Sequence, residues 1–310
     1  MRESIFTFSL FFSFFAAAQV LSEDDLNDSF SSKEFAVIAD AYESPSGNLS
    51  KETLKKIGDS HFSISNYQEA SKFYHRLFEN FTNIPPTYYY KYAQVLKANA
   101  EYELSDNIMK KYTELSGSTY SATSDYKAII EKRAGSYEVE HLPINSKYSD
   151  FTSSVNGNYL IIASSVDTDE KIHKMNNQSF LDLYKLPLNS NTSIRSSANK
   201  IKGNVNSNYH DSNAIFSADG KTMYFTRNQK GTRKLFKSKD NMRLGIYKAE
   251  LKKGKWKVKG ALPFVDKTFS TGHPSLSPDG NFMYFTSDMP GGYGQSDIYK
   301  IRINSDGDFG

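Results

Sequence analysis

Ser277-Pro278-Asp279-Gly280, followed by Asn281-Phe282-Met283-Tyr284-Phe285-Thr286, is the stretch that decides the fold. Its first four residues fill a tight turn in order. Serine suits the first place, proline presets the second, aspartate bonds its own backbone from the third, and glycine suits the fourth. Glycine also accepts a positive φ that a side chain resists. The run behind the turn is rich in β-forming residues and apolar on both faces, as in a strand covered by neighbouring sheets on either side.

Working outward, the same arrangement precedes it twice. Ser217-Ala218-Asp219-Gly220 leads into Lys221 to Thr226, and Ser154-Val155-Asn156-Gly157 leads into Asn158 to Ala163. Gly157, Gly220 and Gly280 are 63 and then 60 residues apart. The turn residues at issue are therefore Ser154, Gly157, Ser217, Asp219, Gly220, Ser277, Pro278, Asp279 and Gly280. A second landmark follows each run: Leu183-Tyr184-Lys185, Ile246-Tyr247-Lys248 and Ile298-Tyr299-Lys300 share an apolar-Tyr-Lys pattern. Fixed landmarks separated by loops of variable length are expected of a four-stranded sheet repeated radially, a β-propeller. These blades occupy 137–310, about three of them, with Val155-Asn156 making the first the most divergent.

Upstream the period changes. Leu54, Ile57, Gly58 and Phe62 follow helical spacing, as do Tyr67, Ala70, Phe73, Tyr74 and Leu77. Pro85-Pro86 stops that pair and opens another, with Tyr89, Tyr92, Ala93 and Leu96, then Tyr102, Ser105, Met109 and Tyr112. Tyr67 to Tyr102 and Ala70 to Ser105 are each 35 residues, close to the tetratricopeptide period. Residues 49–135 thus read as a tetratricopeptide-like helical domain, with a third helix over Thr123 to Arg133. The segment 19–48 reads as an acidic, flexible start at Ser22 to Asp28, then one helix over Glu34 to Tyr42. The fold class is α then β: helical repeats followed by an incomplete propeller.

Residues 1–18 have the form of a secretory signal. Arg2 precedes an apolar run, Ile5 to Phe15, and small residues Ala16-Ala17-Ala18 form a cleavage site. The run is shorter than the ~20 residues that span a bilayer, and no later segment is a candidate membrane helix. The expected location is exported, in the periplasm and associated with the outer membrane. With no cysteine, disulfides, thiolate metal sites and a cysteine nucleophile are excluded.

At Ser277 to Ser287, Gly291-Gly292-Tyr293-Gly294 and Ser296-Asp297-Ile298-Tyr299, the sequence resembles the PD-type (TolB-like) propeller repeat. Helical repeats before such blades resemble the OmpA-family envelope proteins of Bacteroidetes, the PorE-like group among them. The resemblance implies a non-enzymatic envelope scaffold of the type IX secretion or gliding kind. Its partners would be envelope proteins, bound through the helical repeats, and peptidoglycan, bound through a C-terminal OmpA-like domain beyond this sequence. The third blade ends as its return strand begins, so the chain reads as the front of a longer protein. Two alternatives suit the same pattern: a propeller-gated hydrolase (peptidase) whose catalytic domain lies elsewhere, or a glycan or peptide sensor.

No catalytic, cofactor or metal constellation stands out. The histidines His61, His75, His141, His173, His210 and His273 form no ligand motif. Ser217 and Ser277 lack the Gly-x-Ser-x-Gly elbow of a nucleophile. Gly291-Gly292-Tyr293-Gly294 lacks the lysine and the following helix of a phosphate loop and reads as a hairpin. Arg227 to Lys259 carries 13 Lys or Arg against Asp240 and Glu250. Lys255-Trp256-Lys257-Val258-Lys259 alternates, which puts lysines on one face of an outer strand and discourages edge pairing. An exported protein makes nucleic acid an unsuitable partner.

Overall fold

The computed structural model describes residues 20–43, 47–118, 126–166, 172–188, 198–229 and 242–310. The expected leader at 1–18 and the middle of the basic stretch, 230–241, lie outside the described residues. Helices come first and antiparallel strands second. Two compact units are present, one comprising Met1–Thr123 with Lys174–Asn176, the other Ser124–His173 with Asn177–Gly310.

The first unit contains α1 (Glu23–Ser31), α2 (Phe35–Ala41), α3 (Lys51–Ser63), α4 (Tyr67–Asn80), α5 (Pro86–Ala98) and α6 (Tyr102–Ser116). Helices join in pairs through one recurrent turn, in which Lys33, Ser65 and Ala100 take φ of 55°, 61° and 62°. In each turn the next residue's N–H reaches back to a carbonyl five positions earlier: Glu34 to Ser29, Asn66 to His61, Glu101 to Leu96. These bonds occupy helix-end carbonyls that would otherwise lack partners. The acidic stretch expected to be a flexible start is therefore helix α1. Ser22 caps it through the Asp25 N–H, and its three acidic first-turn residues suit the positive end of the helix dipole.

The α3–α4 and α5–α6 hairpins repeat at the expected 35-residue spacing, and small residues let the helices of each pair approach. A Cβ at Gly58 would come within 2.6 Å of the Tyr74 ring. At the matching place in the next pair, Ser105 Oγ donates to the Ala93 carbonyl at 2.8 Å. Leu54, Ile57, Tyr74, Leu77, Tyr92 and Leu96 form the core of the unit.

The second unit begins with α7 (Tyr126–Ala134) and is otherwise built of strands β1 (Asp150–Asn156), β2 (Tyr159–Ser164), β3 (Ile172–His173), β4 (Gln178–Ser179), β5 (Asp182–Pro187), β6 (Asn199–Lys200), β7 (Asp211–Phe216), β8 (Thr222–Asn228), β9 (Leu244–Lys252), β10 (Lys255–Ala261), β11 (Thr271–Leu276), β12 (Phe282–Ser287) and β13 (Asp297–Arg302). Sheet 1 has the order β1-β2-β5-β6, sheet 2 β10-β9-β8-β7 and sheet 3 β11-β12-β13, with β3-β4 a small hairpin. Each main sheet is an antiparallel meander. The Tyr of the apolar-Tyr-Lys pattern sits in the third strand at one register throughout, opposite Ile162, Phe225 and Phe285.

Alternate residues of each second strand face opposite neighbours, so the sheets stack through their side chains. Ile161, Ala163 and Leu183 of sheet 1 share a core with Met223, Phe225 and Ala249 of sheet 2. Tyr224 and Ile246, on the other face of sheet 2, pack with Met283 and Phe285 of sheet 3. This two-faced burial accounts for the unbroken apolar run Met223-Tyr224-Phe225 in β8, whereas in β12 Tyr284 is exposed, so the expected cover on both faces holds for sheet 2 and not for sheet 3. Backbone seams add direction. Trp256 donates to the Lys202 carbonyl at 2.8 Å and accepts from Asn204 at 3.2 Å, and Ser154 Oγ donates to the Ala214 carbonyl at 2.6 Å.

A further repeat precedes each sheet. In Ser146-Lys147-Tyr148-Ser149-Asp150 and Ser207-Asn208-Tyr209-His210-Asp211 the aspartate accepts both the N–H and the Oγ of the serine four residues back. Asp211 also takes Arg227 Nε at 2.6 Å and is fully buried. Burial pushes its carboxyl up, while Arg227 and Ser207 pull it back down. The third sheet has Thr271 at this place, paired with Ser287 as Asp150 is with Ser164.

Candidate functional site

The turn residues behave as covalent geometry and local bonding require. Ser217 and Thr222 close one turn through Ser217 N–H to the Thr222 carbonyl at 2.9 Å and Thr222 N–H to Ser217 Oγ at 3.0 Å. Ser277 and Phe282 repeat both bonds, each at 2.9 Å. Gly220 and Gly280 donate to the Ser217 and Ser277 carbonyls and have φ of 65° and 72°. Pro278 takes the second place of its turn. The hydroxyls of Ser217 and Ser277, and then the next backbone N–H groups, hold the Asp219 and Asp279 carboxyls below the usual range. These carboxylates are committed to their own turns.

Sheet 1 differs. Gly157 (φ 57°) and Asn158 form a two-residue connection between Asn156 and Tyr159, which pair directly. Ser154 lies inside β1, opposite Ile161, and not in the turn. Matching strand registers makes Asn156 the counterpart of Ser217, and Ala218-Asp219 have no counterpart in sheet 1. The sequence alignment on Ser154 is displaced by those two residues, because a serine happens to stand three places before the glycine in both segments.

The shorter turn reshapes the space between sheets. A cleft of about 260 Å³ between sheets 1 and 2 is lined by Asn156, Tyr159, Lys185, Lys202, Phe216 and Trp256 among others. Its counterpart between sheets 2 and 3, about 700 Å³, is lined at matching places by Ser217, Thr222, Lys248, Leu276 and Gly307, and additionally by Asp219 and Asp306. The lysine of the apolar-Tyr-Lys pattern thus faces an inter-sheet cleft in both. In sheet 1 its ammonium lies 4.7 Å from the centre of the Tyr159 ring, and in sheet 3 Lys300 lies 3.8 Å from that of Phe282.

In the helical unit an open cleft of about 730 Å³ runs along α4 to the start of α6, with Gln68, Ser71, Lys72, Tyr92, Glu101 and Leu104 among its walls. Tyr92 hydroxyl and His75 Nδ1 meet at 3.3 Å on its floor, and His75 Nε2 lies 3.0 Å from Glu79. The wall is held rigid from the opposite side by a buried carboxylate. Asp59 accepts from Tyr74, Tyr88 and Lys91 at 2.7, 3.0 and 2.8 Å, tying α3, α4 and α5 together. Burial first, and then Asp59, raise the Tyr74 and Tyr88 hydroxyls well above the usual tyrosine range, so both stay protonated and donate. Because every group in this network has a partner, it positions helices and leaves no atom free for chemistry.

The histidines are dispersed. His61 is buried in the helical core, His75 borders its cleft, and His141 meets Asn145. His173 and His210 pack with Phe180, and His273 occupies an irregularity of β11 with φ 54°. Among the described residues no three His, Asp or Glu side chains are grouped to hold a metal ion. Gly291 to Gly294 form the β12–β13 connection, where Gly294 N–H donates to Asp297 and a Cβ at Gly292 would strike that carboxylate. In the described part of the basic stretch, Lys255, Lys257 and Lys259 are exposed around buried Trp256, with Glu250 held between Lys252 and Lys259 at 3.2 and 3.6 Å. No helix among the described residues is long and apolar enough to cross a membrane.

Against known proteins, neither the protein-family models nor the curated proteins contain a significant match to this chain.

Proposed function

We propose that the protein is an exported, non-enzymatic scaffold of the cell envelope, in which tetratricopeptide-like hairpins bind a partner protein and propeller-type blades form a second docking module. The observation that carries this reading is the open cleft beside α4. It is walled by exposed polar and apolar side chains on helices locked in register by the Asp59 network, a rigid surface of the kind that binds without reorganising. The 35-residue hairpin period supports the tetratricopeptide assignment, and the stacked antiparallel meanders, two of them four-stranded, support the blades. The resemblance to OmpA-family proteins supports an outer-membrane partner and a link to peptidoglycan through a domain outside this sequence.

A photo-crosslinking residue placed singly at Gln68, Ser71 or Leu104 in the protein expressed in its native cell tests the reading. A discrete adduct with one envelope protein from these positions, absent from a control at Lys253, is expected. Equal yields from both sites, or no adduct from the cleft, would overturn it.

A further inference from the structure

The two inter-sheet clefts are the same place in a repeated fold, so each serves as a control for the other. Both have a lysine at the end of the apolar-Tyr-Lys pattern, Lys185 or Lys248. They differ in charge. The second cleft is lined by Asp219, from the turn, and Asp306. In the first, the turn is two residues shorter, the position of Asp219 does not exist, and among the described residues no carboxylate lines the walls. Lys202 adds a second lysine to its lining, and among the described residues neither Lys185, which lies over the Tyr159 ring, nor Lys202 is in an ion pair. The walls beneath are apolar and aromatic: Ile161, Ile201, Phe216 and the largely buried Trp256.

An apolar recess lined by two lysines and, among the described residues, by no carboxylate selects an anion that carries an apolar body. Apolar walls with a few placed polar groups are the usual make-up of small-molecule sites. Lysines beside an apolar, low-dielectric wall with no carboxylate to neutralise them attract an anion more strongly than they would in open water. A volume near 260 Å³ limits the body to a short branched chain or a single ring. From these features we infer that the cleft between sheets 1 and 2 is a binding site for a small free carboxylic acid with a compact apolar body. The body packs on Phe216 and Trp256, and the carboxylate accepts from the Lys185 and Lys202 ammonium groups. This site is independent of the partner-binding reading of the helical unit.

Trp256 is the single tryptophan of the chain, so the cleft carries its own reporter. Trp256 emission in the full chain is titrated with 4-methylpentanoate, and in parallel with 4-methylpentanamide, which has the same body without the charge. The acid is expected to give a saturable change and the amide to bind at least about tenfold more weakly, the worth of a charge-assisted hydrogen bond. Lys185→Met and Lys202→Met, which keep the side-chain stem, should each weaken the acid about tenfold and leave the amide unchanged. Thermal melting of each variant checks that it folds. Absence of saturation with the acid, equal affinity for acid and amide, or unchanged acid affinity in both folded lysine variants would overturn the site.

Discussion

His61 is the residue most out of keeping with its surroundings. It is 3% exposed, stacks on Phe73 with ring centres 5.3 Å apart, and neither ring nitrogen has a hydrogen-bond partner among the described residues. Counting 35 residues on, its place in the next hairpin is taken by Leu96, a fully buried aliphatic side chain. Burial lowers the pKa of His61, and Lys72 adds to that effect against the opposite pull of Glu69 and Asp40. With the folded value below the unfolded one of about 6.5, the unfolded chain takes up the proton first as pH falls. The stability associated with neutral His61 is therefore complete above about pH 6.5 and is lost as pH drops through the folded value. His61→Leu removes both the proton uptake and two unsatisfied nitrogens. It is expected to raise stability by about 1–3 kcal/mol at pH 7, and by more at pH 5, in urea unfolding followed by helical circular dichroism. A variant no more stable than the parent at pH 7, or one that keeps the parent's loss between pH 7 and pH 5, would contradict this account of His61.

At the scale of elements, sheets 1 and 2 are joined by a seam that depends on Gly203. Its φ is 133°, and its peptide meets Trp256 in a parallel bridge at the edge of β10. A Cβ there would be driven into the Trp256 carbonyl oxygen, which is backbone and cannot swing aside. Gly203→Ala is therefore expected to cost roughly 2 kcal/mol or more, from the strained φ and the clash together, and to shift Trp256 emission to the red as the seam opens. Wild-type emission and stability in that variant would show that the seam carries little of the packing. Nothing in the sequence marks Gly203, because its partner lies 53 residues away in another sheet. Local chemistry was the legible part. Ser277-Pro278-Asp279-Gly280 states its turn in four adjacent residues, and the 35-residue helical period is visible in Ala70 and Ser105. Helix α1 was hidden because Leu26 is its only buried residue, too little for a periodic signal. The two-residue deletion in the sheet 1 turn was masked by Ser154, and the carboxylate-free cleft follows from that deletion. It could be seen only after strand registers were known.

For the whole molecule, each unit has its own core and its own histidine removed from solvent, fully for His61 and partly for His210. In the β unit His210 accepts the Leu181 N–H at its Nδ1, 3.0 Å away. Burial first, and then neighbouring His173, hold its pKa down to about 4. Its stabilising contribution is complete above the unfolded value of about 6.5 and is lost as pH falls through about 4. Protonation would also put a hydrogen on Nδ1 where the Leu181 N–H now points. The two units thus share an acid weakness of the same sign through different residues, and separate probes report them. Most of the helix signal arises from α1 to α6, whereas Trp256, the single tryptophan, belongs to the β unit. Acid unfolding of the full chain between pH 7 and pH 3 can be followed by both signals in the same sample. His61→Leu should move the helical transition to lower pH and leave the tryptophan transition in place. His210→Phe removes the titrating group but also the Leu181 acceptor, so it should lower tryptophan-detected stability at pH 7 and flatten its pH dependence. The helical transition should not follow. Cooperative movement of both transitions in either variant would mean that the units unfold as one, and that their cores are energetically a single body.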